Sequence, residues 1–288
     1  MGLRINQNTE AMNAYRHLSS TNMNMSKSLE KLSSGFRINR ASDDAAGLSI
    51  SEKLRSQVGG FKIAMQNAQD GISMLQTGEG ALNETTSLLQ RVRDLAVQAA
   101  NGTQDTESRA AADSEVSSAL SEIDRIASAT TYGTTSLLAA TGSFTFQVGN
   151  TAAASDKITV AVSAMTTTGL SVNGLSISTA ASAASALASI DFAISTVSAQ
   201  RSQFGAVQNR LEHTVSNLGV AVENLSASES RIRDTDMAQE MVNYTKSQIL
   251  SQAGTAMLAQ ANQAPNSVLS LLRGDLRRPG WGRRVVPG

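Results

Sequence analysis

Five polar residues with the chemistry to grip another molecule stand close together in the run LSSGFRINRASDDAAGLSIS, Leu32 to Ser51: Arg37, Asn39, Arg40, Asp43 and Asp44. Two guanidiniums and two carboxylates can form charge-assisted, forked hydrogen bonds, which give geometric specificity as well as energy. Catalysis has far less to draw on. His17 and His213 are the only histidines and sit in different helical stretches, so each reads as a partly exposed helix residue rather than a base or a metal ligand. No Walker loop, no G-x-G-x-x-G after a strand and no H-E-x-x-H pair occurs. With no cysteine, disulfides and thiolate metal sites are excluded. The chain reads as a non-enzyme, with no catalytic residues, no cofactor and no metal.

The elements that hold the cluster are long helices. From Phe61 the series Phe61, Ala68, Leu75, Leu82, Leu89, Ala96 is apolar at every seventh position, with a companion series Val58, Met65, Ile72 that turns polar at Glu79, Thr86 and Arg93. A second region repeats the pattern through Ile190, Val197, Phe204, Leu211, Leu218 and Leu225, with Leu187, Ile194, Val215 and Val222 alternating. Sustained 3-4 spacing predicts long helices packed at shallow angles. A helix from about Asp44 to Ala100 would run roughly 80 Å at about 1.5 Å per residue. Gly35 is expected to end the helix before it, Ser42 or Asp43 to start it, and Asn101-Gly102 to close it with a left-handed cap. Arg37 and Arg40 are needed for neither job, which leaves the loop as a solvated connector or as a docking surface for carboxylates of another copy. Gly78 and Gly80 cost a helix roughly 1 kcal/mol each, which close approach of a neighbouring helix would explain.

Asp105 offers an N-cap for a shorter helix to about Ala127, with Val116, Leu120 and Ile123 on one side. Then the period changes to two: FTFQV (Phe144 to Val148) and ITVAV (Ile158 to Val162) alternate, and LSVNGLSI (Leu170 to Ile177) carries an Asn-Gly hairpin signal. The two chain ends are amphipathic with narrow stripes, and isolated helices of that kind are marginal in water. The expected fold is mainly α: long antiparallel helices in a coiled-coil rod, discontinuous from N- and C-terminal segments, with a small central β-hairpin region.

Charge narrows the partners. Basic and acidic residues balance at 24 each, so there is little counterion release to drive nucleic-acid binding. No N-terminal apolar core marks a secretory signal, and no window approaches the roughly 20 apolar residues of a membrane span. Neither nucleic acid nor membrane is expected as a partner, and the chain is expected to be cytoplasmic or exported by a signal-independent route.

The run LSSGFRINRASDDAAGLSISEKLRSQ resembles the N-terminal signature of bacterial flagellin. MGLRINQNTEAMNAYRHL, QRVRDLAVQAANGT, SEIDRIASATTYGTTSLL, FGAVQNRLEHTVSNL and the segment Ser230 to Arg273 are similar to further flagellin motifs. The resemblance implies a subunit that self-assembles into the flagellar filament for swimming, secreted unfolded through a type III apparatus to the outside of the cell. It implies an inner coiled-coil domain (1–44 plus 230–273), an outer-tube helical domain (45–137 plus 179–229), a β-hairpin insert (138–178) and a basic C-terminal tail (274–288). The nearest rival is a flagellin-like protein of the hook-filament junction.

Partners implied by the resemblance are other copies of the chain, an export chaperone, a cap protein, a hook-associated junction protein and the host Toll-like receptor for flagellin. The loop Arg37 to Asp44 would be a subunit contact. Arg91, Leu95 and Glu115 match positions the receptor reads, with Asp94 standing where many members have Glu. Val268, Leu269, Leu271 and Leu272 match closing residues read by cytosolic receptors or lining the channel. The variable outer domains of long flagellins are nearly missing. Flagellins normally stop near the position of Arg273, whereas here GDLRRPGWGRRVVPG continues, with Trp281 and four arginines (Arg277, Arg278, Arg283, Arg284).

Overall fold

A computed structural model of the chain describes residues 7–275. Its helices are α1 (Thr9–Ser34), α2 (Ala45–Ala100), α3 (Thr106–Ala129), α4 (Ala180–Arg233) and α5 (Met237–Asp275). Between α3 and α4 lie the short pair β1 (Thr131–Tyr132) and β2 (Thr135–Ser136), and the hairpin of β3 (Gly142–Gln147) and β4 (Lys157–Val162). The chain divides into two compact units. One is Leu54–Ala227; the other takes the described residues up to Lys53 together with those from Ser228 onward.

The Leu54–Ala227 unit owns the hydrophobic core. Cross-pairs fix its helix directions: Glu79 with Gln208 and Arg93 with Asp191 set α2 antiparallel to α4, while Arg91 with Glu115 and Ala99 with Arg109 set α2 antiparallel to α3. All three helices and the hairpin feed one cluster of buried residues. The stripe Ala68, Leu75, Leu82, Leu89, Ala96 is buried as its spacing predicts. The companion stripe is different. Ala64, Gly71, Gly78, Thr85, Val92 and Ala99 are buried, whereas Met65 and Ile72 are half-buried. Small residues here let neighbours approach closely: a Cβ on Gly71 would lie 2.9 Å from the ring of Phe146, and one on Gly78 2.9 Å from the ring of Phe204. Gly80 faces open space and has no such reason. α4 does the same, burying Ala186, Ala193, Gln200 and Val207 beside Ile190, Val197 and Phe204.

The hairpin pairs antiparallel with Phe144 opposite Val160 and Phe146 opposite Ile158, and β4 turns Ile158, Val160 and Val162 inward. LSVNGLSI, however, forms a turn at Asn173-Gly174 with no strands beside it. Leu170, Val172 and Ile177 are buried one by one, and two aspartates of α3 hold the segment where a strand partner would. Asp124 accepts from the backbone N–H and the hydroxyl of Thr167, each at 2.8 Å; Asp113 accepts from the N–H of Ile177 at 2.6 Å and the hydroxyl of Ser176 at 3.0 Å. Gln200 of α4 adds a third tie, donating to Ala161 O and accepting from Ser163 N–H.

Two helix ends differ from expectation. α2 closes without a left-handed residue at Asn101-Gly102. Arg109 satisfies the exposed carbonyls instead, donating to Ala99 O at 2.9 Å and Asn101 O at 3.1 Å, so a side chain does what a cap conformation would have done. At its start α2 is capped by Asp44, not Ser42 or Asp43. α3 follows its N-cap Asp105, whose carboxylate accepts from Ser108 N–H at 2.7 Å. α4 also overturns the expectation about apolar windows. It holds 18 residues of mean hydropathy 1.4, apolar enough by length and composition to cross a membrane. Alanine raises that score; the large side chains Ile190, Val197 and Phe204 lie in the unit's own core.

The other unit has hardly any core. α1 and α5 run antiparallel, tied by Asn8 Nδ2 to Ala261 O at 2.7 Å and Ser251 Oγ to Asn22 Oδ1 at 2.9 Å. Leu18 packs on Gly254 between those ties. Among the described residues of this unit, Ile38 is the only large hydrophobic that is buried.

Candidate functional site

The polar cluster lies on the connector between α1 and α2, which is zipped to the connector between α4 and α5. Gly35 ends α1 in the left-handed region at φ 76°, where glycine alone carries no Cβ penalty, and donates to Lys31 O at 2.8 Å. Phe36 then bridges antiparallel to Asp234, with Arg37 N–H on Arg233 O at 2.6 Å and Thr235 N–H on Gly35 O at 3.0 Å. Ile38 anchors the connector against Gly47 of α2. The Arg233 guanidinium lies 4.6 Å from the Phe36 ring centroid and donates to Glu52 at 2.9 Å. That cation–π contact was not visible in the sequence, because its partners are far apart in the chain.

Each member of the cluster has a job inside the chain. Asp43 Oδ2 accepts from the backbone N–H groups of Arg40 at 3.0 Å and Asn39 at 3.2 Å, folding the loop over its own carboxylate. Those bonds, Arg40 first, hold the exposed Asp43 carboxyl below its ordinary range, since they favour the ionised form. Asp44 Oδ1 caps α2 at Gly47 N–H, 2.9 Å away. Arg40 pairs with Glu30 of α1 at 2.9 Å, with Asn39 Nδ2 at 3.4 Å from the same oxygen. Arg37 donates through Nη2 to Ile232 O at 2.6 Å. So Arg37 and Arg40 are not idle, as the sequence suggested. Both remain exposed, and each keeps further N–H groups in its guanidinium fork.

Elsewhere, Arg91 and Glu115 come together, Nη2 to Oε1 at 2.7 Å, on the surface between α2 and α3. Leu95 does not join them: it is 4% exposed and belongs to the core. Val268, Leu269, Leu271 and Leu272 fall within the span of α5, but their side chains lie outside what the structure describes. The tail residues Arg277, Arg278, Trp281, Arg283 and Arg284 lie outside the described residues altogether. His17 and His213 are exposed and far from this cluster in sequence.

The larger feature of this unit is uncovered apolar surface. Met12, Tyr15 and Leu29 of α1 and Met241, Ile249 and Met257 of α5 are each about half exposed or more. A contiguous patch on α5 is lined by Met241, Val242, Thr245, Lys246, Ile249 and Leu250. Scattered exposed apolar residues are ordinary, but runs of them on both helices of a coreless pair mark a surface meant to be covered.

Residues 5–143 match the family profile of the bacterial flagellin N-terminal helical region, and residues 187–272 that of the bacterial flagellin C-terminal helical region. The chain belongs to the bacterial flagellin family. Flagellins are structural subunits of the flagellar filament, outside the cell, and this flagellin is of that structural class. It is 51% identical over 286 residues to the flagellar filament 33 kDa core protein of Treponema phagedenis, covering 93% of this chain and 99% of that one. It is 48% identical over 307 residues to a flagellin of Bacillus subtilis, covering 94% and 100%. Among solved structures, a putative flagellar hook-associated protein from Vibrio parahaemolyticus aligns over 67% of this chain and 100% of its own with TM-score 0.55; at 15% identity it shares the fold alone.

Proposed function

We propose that this flagellin polymerises by covering the exposed apolar faces of α1 and α5 with those of neighbouring copies. The pair would thus gain in the filament the core it lacks alone. The observation that carries this is the contrast between the units: one buries a continuous apolar cluster, while the other buries Ile38 and leaves Met12, Tyr15, Met241 and Met257 in water. Completing the burial of one half-exposed Met, Leu or Ile contributes about 1 kcal/mol. Several are therefore needed before the gain exceeds the cost of association, at least about 4 kcal/mol.

The connector residues Arg37, Arg40 and Asp43, which are exposed, and Asn39 and Asp44, which are half-buried, dock on a neighbouring copy, using donors and carboxylate oxygens beyond those engaged within the chain. Subunits leave the cell unfolded through the type III apparatus, escorted by an export chaperone. They fold beneath a cap protein, on a filament begun at a hook-associated junction protein. The Arg91–Glu115 pair is the face offered to the host Toll-like receptor, with Leu95 beneath it in the core. Val268, Leu269, Leu271 and Leu272 line the channel or are read by cytosolic receptors.

Seeded polymerisation beside circular dichroism of the monomer tests the docking role. Arg37→Ala and Arg40→Ala are expected to slow filament growth while leaving monomer helicity unchanged. Normal growth of both would refute it.

A further inference from the structure

We infer that five methionines on α1 and α5 form an oxidation-sensitive switch on assembly, an inference that rests on the polymerisation reading above. The chain has 10 methionines and no cysteine, so its thioethers are the only oxidisable sulfurs. Their placement is uneven. Met12, Met23, Met237, Met241 and Met257 all lie in the coreless unit and are between 48% and 64% exposed. Met25 of α1 is half-buried, and Met1 lies outside the described residues; in the Leu54–Ala227 unit Met65 is half-buried, Met74 is buried and Met165 is 1% exposed. Reactive sulfur thus sits on the faces that must become dry for the polymer to form, and away from the core that keeps the monomer folded.

The step balances with hydrogen peroxide as the two-electron oxidant. The thioether lone pair attacks one peroxide oxygen, the O–O bond breaks, a sulfoxide forms and water leaves. Sulfur is oxidised and peroxide reduced. A flexible apolar group thereby becomes a polar one, and methionine sulfoxide reductases reverse the change. Burying a sulfoxide without a hydrogen-bond partner opposes the apolar contact that the thioether would have made.

The test treats dilute monomer with hydrogen peroxide, maps the added oxygen by peptide mass spectrometry and measures elongation from seeds. Oxygen is expected on the five exposed methionines, with Met74 and Met165 unmodified. Elongation is expected to fall by about tenfold or more, roughly what losing one well-buried apolar contact does to an equilibrium. Reductase treatment should restore it, and a variant carrying Met12→Leu, Met23→Leu, Met237→Leu, Met241→Leu and Met257→Leu, whatever its own starting rate, should elongate equally with and without peroxide. Equal elongation of oxidised and untreated protein, or inhibition that reductase does not reverse, would overturn the switch. Failure of untreated protein to extend seeds would instead overturn the polymerisation reading beneath it.

Discussion

Gly78 and Gly80 sit one turn-fraction apart on α2 and should respond oppositely to the same substitution. A Cβ at Gly78 would stand 2.9 Å from Cε2 of Phe204, whose ring is buried and cannot swing into water. A Cβ at Gly80 meets nothing within 4 Å. Alanine removes glycine's backbone-entropy cost at either site, about 1 kcal/mol in a helix interior. At Gly80 the gain should be realised in full, raising the melting temperature of the monomer by about 2–4 °C for a unit of this size. At Gly78 the same gain is set against forcing the Phe204 ring aside in a packed core, about 1–3 kcal/mol. The net effect of Gly78→Ala is then between zero and a loss of about 2 kcal/mol, a melting temperature unchanged or lower by several degrees. Thermal unfolding followed by circular dichroism separates the two variants. Gly78→Ala melting as high as Gly80→Ala would refute the claim that this stripe is small because Phe204 lies against it.

Other consequences follow from single contacts. Asp124→Ala strips Thr167 of both its hydrogen bonds to α3, and the buried N–H left behind should cost about 1–3 kcal/mol in denaturant unfolding; a loss under about half a kcal/mol would contradict the clasp. Arg109→Ala uncaps the last carbonyls of α2, so amide exchange near Ala99 should quicken while that around Leu82 is unchanged; unchanged exchange at both would show that water serves as well. Asp43 has a depressed carboxyl, so its contribution to the loop is fully present above the unfolded value and lost as pH falls through the lower folded value. The amide signals of Asn39 and Arg40 should therefore hold through the ordinary aspartate range and move only in stronger acid. Movement centred at or above that range would contradict the bonding described.

What was legible in the sequence was whatever the helical period writes in large side chains. Leu75, Leu82 and Leu89 announced the buried face of α2, and Gly35 announced the end of α1. The second stripe escaped because Gly71, Gly78 and Thr85 do not read as apolar; a residue can be buried because it is small. The Asn173-Gly174 signal marked a turn correctly but not strands, since Asp113 and Asp124 supply the hydrogen bonds that a ladder would have supplied. The five residues of the connector stand out in the sequence by type and spacing. Their internal partners do not, because Ile232 and Arg233 reach them from across the whole chain, and no local pattern encodes that pairing.

Helices α1 and α5 lack a core of their own, and in the proposed filament they acquire one from sister molecules. Amide hydrogen exchange on dilute monomer and on assembled filament tests it most directly. Both helices should exchange rapidly in the monomer, Leu75, Leu82 and Ile190 slowly in the same sample, and α1 and α5 should become strongly protected once filaments form. Helices α1 and α5 as protected in the monomer as the Leu54–Ala227 unit would contradict it.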